Sequence, residues 1–140
     1  MWIVVLVIIG VIVAGLGITM LVFEPGRKEA MNLTIDTVDF RHLRDGVYTG
    51  EYKGKKDSLR NTKVEVTVDS GNVKEIKVVG GAQANEKQTA EIRQGQSIND
   101  LLNRVIQNKS LDVDVISGAT ITSKVHLKAV ENALEQAETK

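Results

Sequence analysis

The chain has 140 residues, no cysteine and two histidines, and its 18 Lys and Arg balance its 18 Asp and Glu. Zero net charge and a pI near 6.7 argue against a polyanion partner such as nucleic acid. Without cysteine there is no disulfide, thiolate metal site, iron–sulfur ligation or cysteine nucleophile, and His42 and His126 alone do not make a histidine-rich metal centre. Any redox chemistry here needs an organic cofactor.

The first 23 residues carry no charge. Trp2 to Phe23 is apolar apart from Thr19 and the small residues Gly10, Ala14, Gly15 and Gly17. About 20 helical residues cross a hydrocarbon core of roughly 30 Å, and an indole suits the interface. No basic region precedes the run, so a single-pass membrane anchor over residues 1–23 is expected rather than a cleaved signal. Pro25-Gly26 is predicted to end that helix. Residues 24–44 read as a linker or stalk, with Met31 to Phe40 a short strand or part of the stalk. Arg27 and Lys28 lean the soluble part toward the cytoplasm, although Glu24 and Glu29 flank them.

Residues 45–140 are enough for one small domain. Asp45-Gly46 opens a strand in which Tyr48, Gly50 and Tyr52 share one face. Lys55 to Asn61 reads as a polar loop. Val64, Val66 and Val68 alternate with polar residues, Asp69-Ser70-Gly71-Asn72 is a turn, and Val73 to Val79 alternates again, which makes a β-hairpin. A short helix is expected over Glu86 to Arg93. Ser97 and Asp100 form a capping box for a helix whose stripe is Ile98, Leu101, Leu102, Val105 and Ile106. Leu111, Val113 and Val115 alternate as a further strand. A last helix is predicted from Ser123 to about Ala137, with Val130, Ala133, Leu134 and Ala137 inward. The fold class is α+β: a small antiparallel sheet with a β-hairpin covered by two or three helices, preceded by the N-terminal span.

The chemistry concentrates between Asp114 and Ser123, at a strand-to-helix junction. Ser117, Thr120, Thr122 and Ser123 are hydroxyl donors, Gly118 and Ala119 add almost no bulk, and the first N–H groups of a helix favour an anion. The same Ser and Thr residues serve equally as ordinary caps and turn formers. Asp114 is at odds with a phosphate, since like charges repel. No lysine completes a P-loop. His126 lies one turn after Thr122, and a solvated surface position is expected for it.

Asp114-x-x-Ser117-Gly118-Ala119-Thr120-x-Thr122 resembles the flavinylation motif of FMN-binding domains, with all six fixed positions present. Such domains occur in flavin subunits of membrane NADH:quinone and ferredoxin-linked electron-transport complexes. The resemblance runs from about Gly46 to Leu134. It implies covalent FMN, joined through its phosphate to Thr122 by a flavin transferase that uses FAD and a divalent metal. Ser117, Gly118, Ala119, Thr120 and Ser123 then surround the phosphate, and Asp114 assists loading. It also implies a membrane-tethered electron relay with redox partner proteins or a membrane complex as neighbours. A covalent bond that stops cofactor loss matters most where free FMN is scarce, which favours an extracytoplasmic domain against the weak charge signal. A stand-alone flavin-dependent reductase and a non-redox assembly or regulatory module remain the alternatives. After the hairpin, Gly80-Gly81-Ala82-Gln83-Ala84-Asn85-Glu86 lacks a histidine often found in such domains, so the surroundings of the ring differ.

Overall fold

Val64, Val66 and Val68 point one way and Lys63, Glu65 and Thr67 the other, and this alternation makes β2 (Thr62–Asp69) the centre of a three-stranded antiparallel sheet. The computed structural model describes residues 2–55, 60–93 and 95–138, and for residues 15–27 the backbone alone. β1 (Gly46–Tyr52) and β3 (Asn72–Gly80) flank β2. Gly50 faces Val64 and Tyr52 faces Thr62 across β1 and β2. The β2–β3 register shifts twice, leaving Lys74 and Val79 without direct partners. These bulges bring Val73 onto the same buried face as Ile76 and Val78 despite its different parity. Ser70 and Gly71 both have positive φ, 54° and 78°, the geometry of a tight two-residue hairpin turn.

The apolar face of the sheet is covered by helices. α2 (Ile98–Asn108) lies against β3, and α3 (Thr120–Ala137) crosses β1 and β2. Ile98, Leu101, Leu102 and Val105 of α2 are buried, as are Val130, Ala133, Leu134 and Ala137 of α3, in one core with the sheet valines. The capping box on α2 is formed: Asp100 N–H donates to Ser97 Oγ at 3.3 Å, and Ser97 N–H donates to Asp100 Oδ2 at 2.8 Å. Ser97→Ala is expected to cost about 1 kcal/mol in urea unfolding with an unchanged slope; an unaltered midpoint would remove the cap's importance.

Several sequence expectations are corrected. The helix expected over Glu86–Arg93 is a 3-10 turn (Asn85–Thr89) followed by β4 (Glu91–Arg93), which pairs with β5 (Gln96–Ser97). Buried Gln88 is the reason. Its Oε1 accepts Val78 N–H at 2.8 Å and its Nε2 donates to Ile76 O at 3.0 Å, so a side-chain amide occupies the edge of β3 in place of another strand. Leu111–Val115 alternates but pairs with nothing as a strand. That β3 edge is already taken, and Arg104 Nη1 instead holds Asp114 O at 2.8 Å. The last helix starts at Thr120 rather than Ser123.

The helix at the N-terminus, α1 (Trp2–Met31), does not stop at Pro25-Gly26. An interior proline removes one helical hydrogen bond, and docking of the last turn carries the helix beyond it. Ala30 is fully buried, Lys124 Nζ donates to Met31 O at 2.7 Å, and Lys55 N–H donates to Glu29 Oε1 at 2.7 Å. The side chains of Trp2 to Ala14 are exposed. Among the described residues no helix is long and apolar enough to cross a membrane. The second half of the expected span, residues 15–23, lies outside the described side chains, and most of the expected polar loop, residues 56–59, lies outside the described residues.

Residues 33–39 form no strand and run as an irregular strap along α3. Val38 within it, and Phe40 and Leu43 just after it, are buried. Asp36 N–H donates to Glu131 Oε1 at 3.1 Å, and Lys128 Nζ donates to Thr34 O at 3.2 Å. Glu131 is buried and its other oxygen is ion-paired with Lys128 Nζ at 2.8 Å.

Candidate functional site

The turn into α3 is knitted by its own backbone and one hydroxyl. Gly118 has φ +82°, a conformation that favours glycine, and Ala119 N–H donates to Ile116 O at 2.9 Å. Ser123 Oγ donates to Ala119 O at 2.8 Å and accepts from Ile116 N–H at 3.1 Å. Ser123 is fully buried, so its hydroxyl closes the turn and faces the interior. Ala119 is the N-cap and supplies no capping side chain. The first amides of α3 therefore keep their capacity for an outside acceptor, at the positive end of the helix dipole.

Asp114, Ser117, Gly118 and Thr120 are exposed along the outer side of this turn, and Ala119 is buried within it. Thr122 is half-buried and lines a cleft of about 110 Å³ between α3 and the open end of the hairpin. Arg60, Asn61, Thr62, Ala82 and Gln83 form the hairpin side, and Val125 and His126 complete the helix side. Of the seven candidate residues Thr122 alone lines this cleft. Gly81 holds the two hairpin segments together: its φ is +97°, and a Cβ there would come within 2.6 Å of Asn61 O. The exposed Arg93 lies across Gly118, its Cδ 3.6 Å from where a Cβ would stand, so a guanidinium borders the turn.

His126 is buried, not solvated as its sequence position suggested. Its Nδ1 lies 2.6 Å from Thr122 O, and its Nε2 lies 3.3 Å from Thr62 Oγ1, whose single hydroxyl proton is within reach of both that nitrogen and Gly80 O at 3.2 Å. A carbonyl only accepts, so Nδ1 carries the proton. Burial pushes the His126 pKa down, with the Thr122 carbonyl opposing in part, and the neutral ring leaves Nε2 as an acceptor facing Thr62. The ring thus ties the first turn of α3 to the hairpin across the floor of the cleft. Tyr48 and Tyr52 are not aromatic walls of this site. Tyr52 is buried in the core, and Tyr48 Oη donates to Arg44 O at 2.9 Å.

Sequence reading located the turn but missed the hairpin side of the cleft, because residues 60–62 and 82–83 converge only through sheet pairing. The one available signal was the Gly80-Gly81 pair at the hairpin's end.

The arrangement offers one half-buried hydroxyl, unclaimed helix amides, and guanidinium groups from Arg60 and Arg93, and these suit a phosphate monoester or diester. The cleft is well below the roughly 300–1,000 Å³ of sites that enclose a small molecule. It is sized for a phosphate and the start of a chain, with anything larger lying outside.

The sequence profile of the FMN-binding domain family matches residues 59–135. The chain is 29% identical over 94 residues to an uncharacterized protein of Treponema pallidum (strain Nichols), a match that covers 67% of this chain and 24% of that protein. The chain therefore spans about a quarter of that relative's length. The crystal structure of the CPE2226 protein from Clostridium perfringens is 31% identical and superposes with a TM-score of 0.50, over 68% of this chain and 88% of that one.

Proposed function

The chain belongs to the FMN-binding domain family, and on that premise we propose that it carries FMN as a phosphoester on Thr122 and relays electrons while tethered to a membrane. Binding of flavin follows from the family. The covalent link is supported by one observation above the rest: Thr122 is the only residue of the Ser117–Ser123 turn that lines the cleft, within a helix turn that has no side-chain cap. When loaded from FAD, Thr122 Oγ1 forms the new bond to phosphorus, the pyrophosphate bond breaks, AMP leaves and the hydroxyl proton is released. Bound FMN supplies reversible electron uptake and release. The open amides of α3 would hold negative charge beside Thr122, with the Arg93 guanidinium bordering the turn at Gly118. His126 and Thr62 keep the turn in place.

The tether is supported by the uncharged run to Phe23 and by the exposed apolar side chains from Trp2 to Ala14. A covalent bond prevents cofactor loss, which matters most where free FMN is scarce, so the domain is assigned to the extracytoplasmic side, against the weak bias of Arg27 and Lys28. Partners are then a flavin transferase and membrane-associated electron donors and acceptors. Exposed Asp114 is free to assist loading rather than to touch the finished ester.

Co-expression with a flavin transferase tests the reading. Intact mass should show an FMN-minus-water adduct, and Thr122→Ala should abolish it while leaving the fold intact. A wild-type chain that stays unmodified would sink the covalent reading, and an adduct surviving Thr122→Ala would move it to another hydroxyl.

A further inference from the structure

The end of α1 and the Thr122 turn share one pole of the domain. Lys124, two residues after Thr122, donates from Nζ to Met31 O at 2.7 Å, and Met31 is the last residue of α1. Lys55, just past β1, donates its N–H to Glu29 Oε1 at 2.7 Å. Ala30 is buried among these contacts. The opposite pole holds the C-terminal end of α3, where Arg44 N–H donates to Ala137 O at 2.8 Å. The hairpin turn lies there too, with Gly71 N–H donating to Asp45 Oδ1 at 2.8 Å. The 18 residues of α3 separate the poles by about 27 Å at 1.5 Å per residue.

We infer that the pole bearing Thr122 faces the lipid surface, so that a flavin held there works against the bilayer rather than toward bulk solvent. The inference rests on the membrane-anchor reading of α1. With the uncharged run filling the hydrocarbon, residues 24–31 add about 12 Å of helix before the domain begins. The headgroup layer on each side is roughly 5–7 Å thick. Met31, and the turn bonded to it through Lys124, then stand a few ångströms beyond the headgroups. Exposed Lys28 and the Lys124 ammonium place cations at that pole, which suits anionic lipid. The small volume of the cleft leaves the flavin ring outside it, between protein and lipid. The exchange partner this geometry fits is a membrane-embedded electron carrier, not a soluble one.

Absence of native cysteine allows single fluorescent thiol labels at Ser117→Cys or Thr120→Cys on one pole and Ser70→Cys or Asn72→Cys on the other. The full chain is placed in nanodiscs of phosphatidylcholine and phosphatidylglycerol containing a headgroup-nitroxide lipid. Quenching at Ser117 and Thr120 should exceed that at Ser70 and Asn72 several-fold. Equal or reversed quenching in chains that have entered the discs overturns the inference and leaves the anchor standing. A chain that does not enter the discs at all overturns both.

Discussion

Gly50→Ala should unfold the domain or leave it barely stable. Gly50 sits in β1 where α3 crosses, and a Cβ there would run into Ala129 O and Ala133 N and come within 2.8 Å of Ala133 Cβ. Two of these are helix backbone atoms, which cannot rotate away. Relief requires α3 to lift off β1, and that disturbs the neighbouring side-chain bonds, Asn132 Nδ2 to Glu51 O and Gln136 Nε2 to Thr49 O, both at 2.7 Å. Overpacking usually costs about 1–3 kcal/mol. A clash with backbone belongs at or beyond the upper end, a large share of the 5–15 kcal/mol that holds a small domain together. Thermal unfolding followed by circular dichroism is the measurement. A melting point within a few degrees of wild type would mean that the helix and strand separate easily, and the close crossing would lose its importance. The same lift would shift the first turn of α3 against the hairpin, so flavin loading should fall together with stability.

Much of this fold was legible because it is local. The alternation of Val64, Val66 and Val68, the Ser70-Gly71 turn and the Ser97–Asp100 box are short-range codes, and all form as expected. The failures share one cause: a long-range contact overrode a local pattern. Leu111–Val115 has a strand's alternation but no edge to join, since Gln88 occupies it. Residues after Pro25 stay helical because Ala30, Glu29 and Met31 have partners on the domain. The turn itself was legible from its hydroxyls, its small residues and the helix start, but only the motif singled out Thr122, because hydroxyls at a helix start also serve as simple caps. Ser123 shows that double meaning within the motif itself, since its hydroxyl belongs to the turn. The hairpin wall of the cleft leaves only the Gly80-Gly81 pair as a trace in the sequence, because it depends on the β2–β3 register bringing Thr62 within hydrogen-bond reach of Gly80.

His126 is the residue whose role changed most, and it carries the second large effect. Its lowered pKa means that the folded chain prefers the neutral ring, while the unfolded chain titrates near the ordinary value of 6.5. Below that pH the unfolded state binds the additional proton, so stability is full above about 6.5 and is lost as pH falls from there toward the depressed folded value. His126→Leu keeps an apolar side chain in the core but removes the Nδ1–H donor to Thr122 O and the acceptor facing Thr62 Oγ1. It should cost about 1–3 kcal/mol at pH 7.5. It should also flatten the pH dependence, because the variant has no ring to protonate. Urea unfolding of both proteins at pH 5.5 and 7.5 separates these effects, and groups common to the two proteins cancel in the comparison. If the variant loses as much stability on acidification as wild type does, His126 does not titrate across the transition and the neutral-ring assignment fails. Transferase-driven loading of the variant, measured where it is fully folded, then reports whether the ring also sets the Thr122 hydroxyl. A slower rate in a folded chain would place His126 in the presentation of the modified residue, whereas an unchanged rate would confine it to holding α3 on the hairpin.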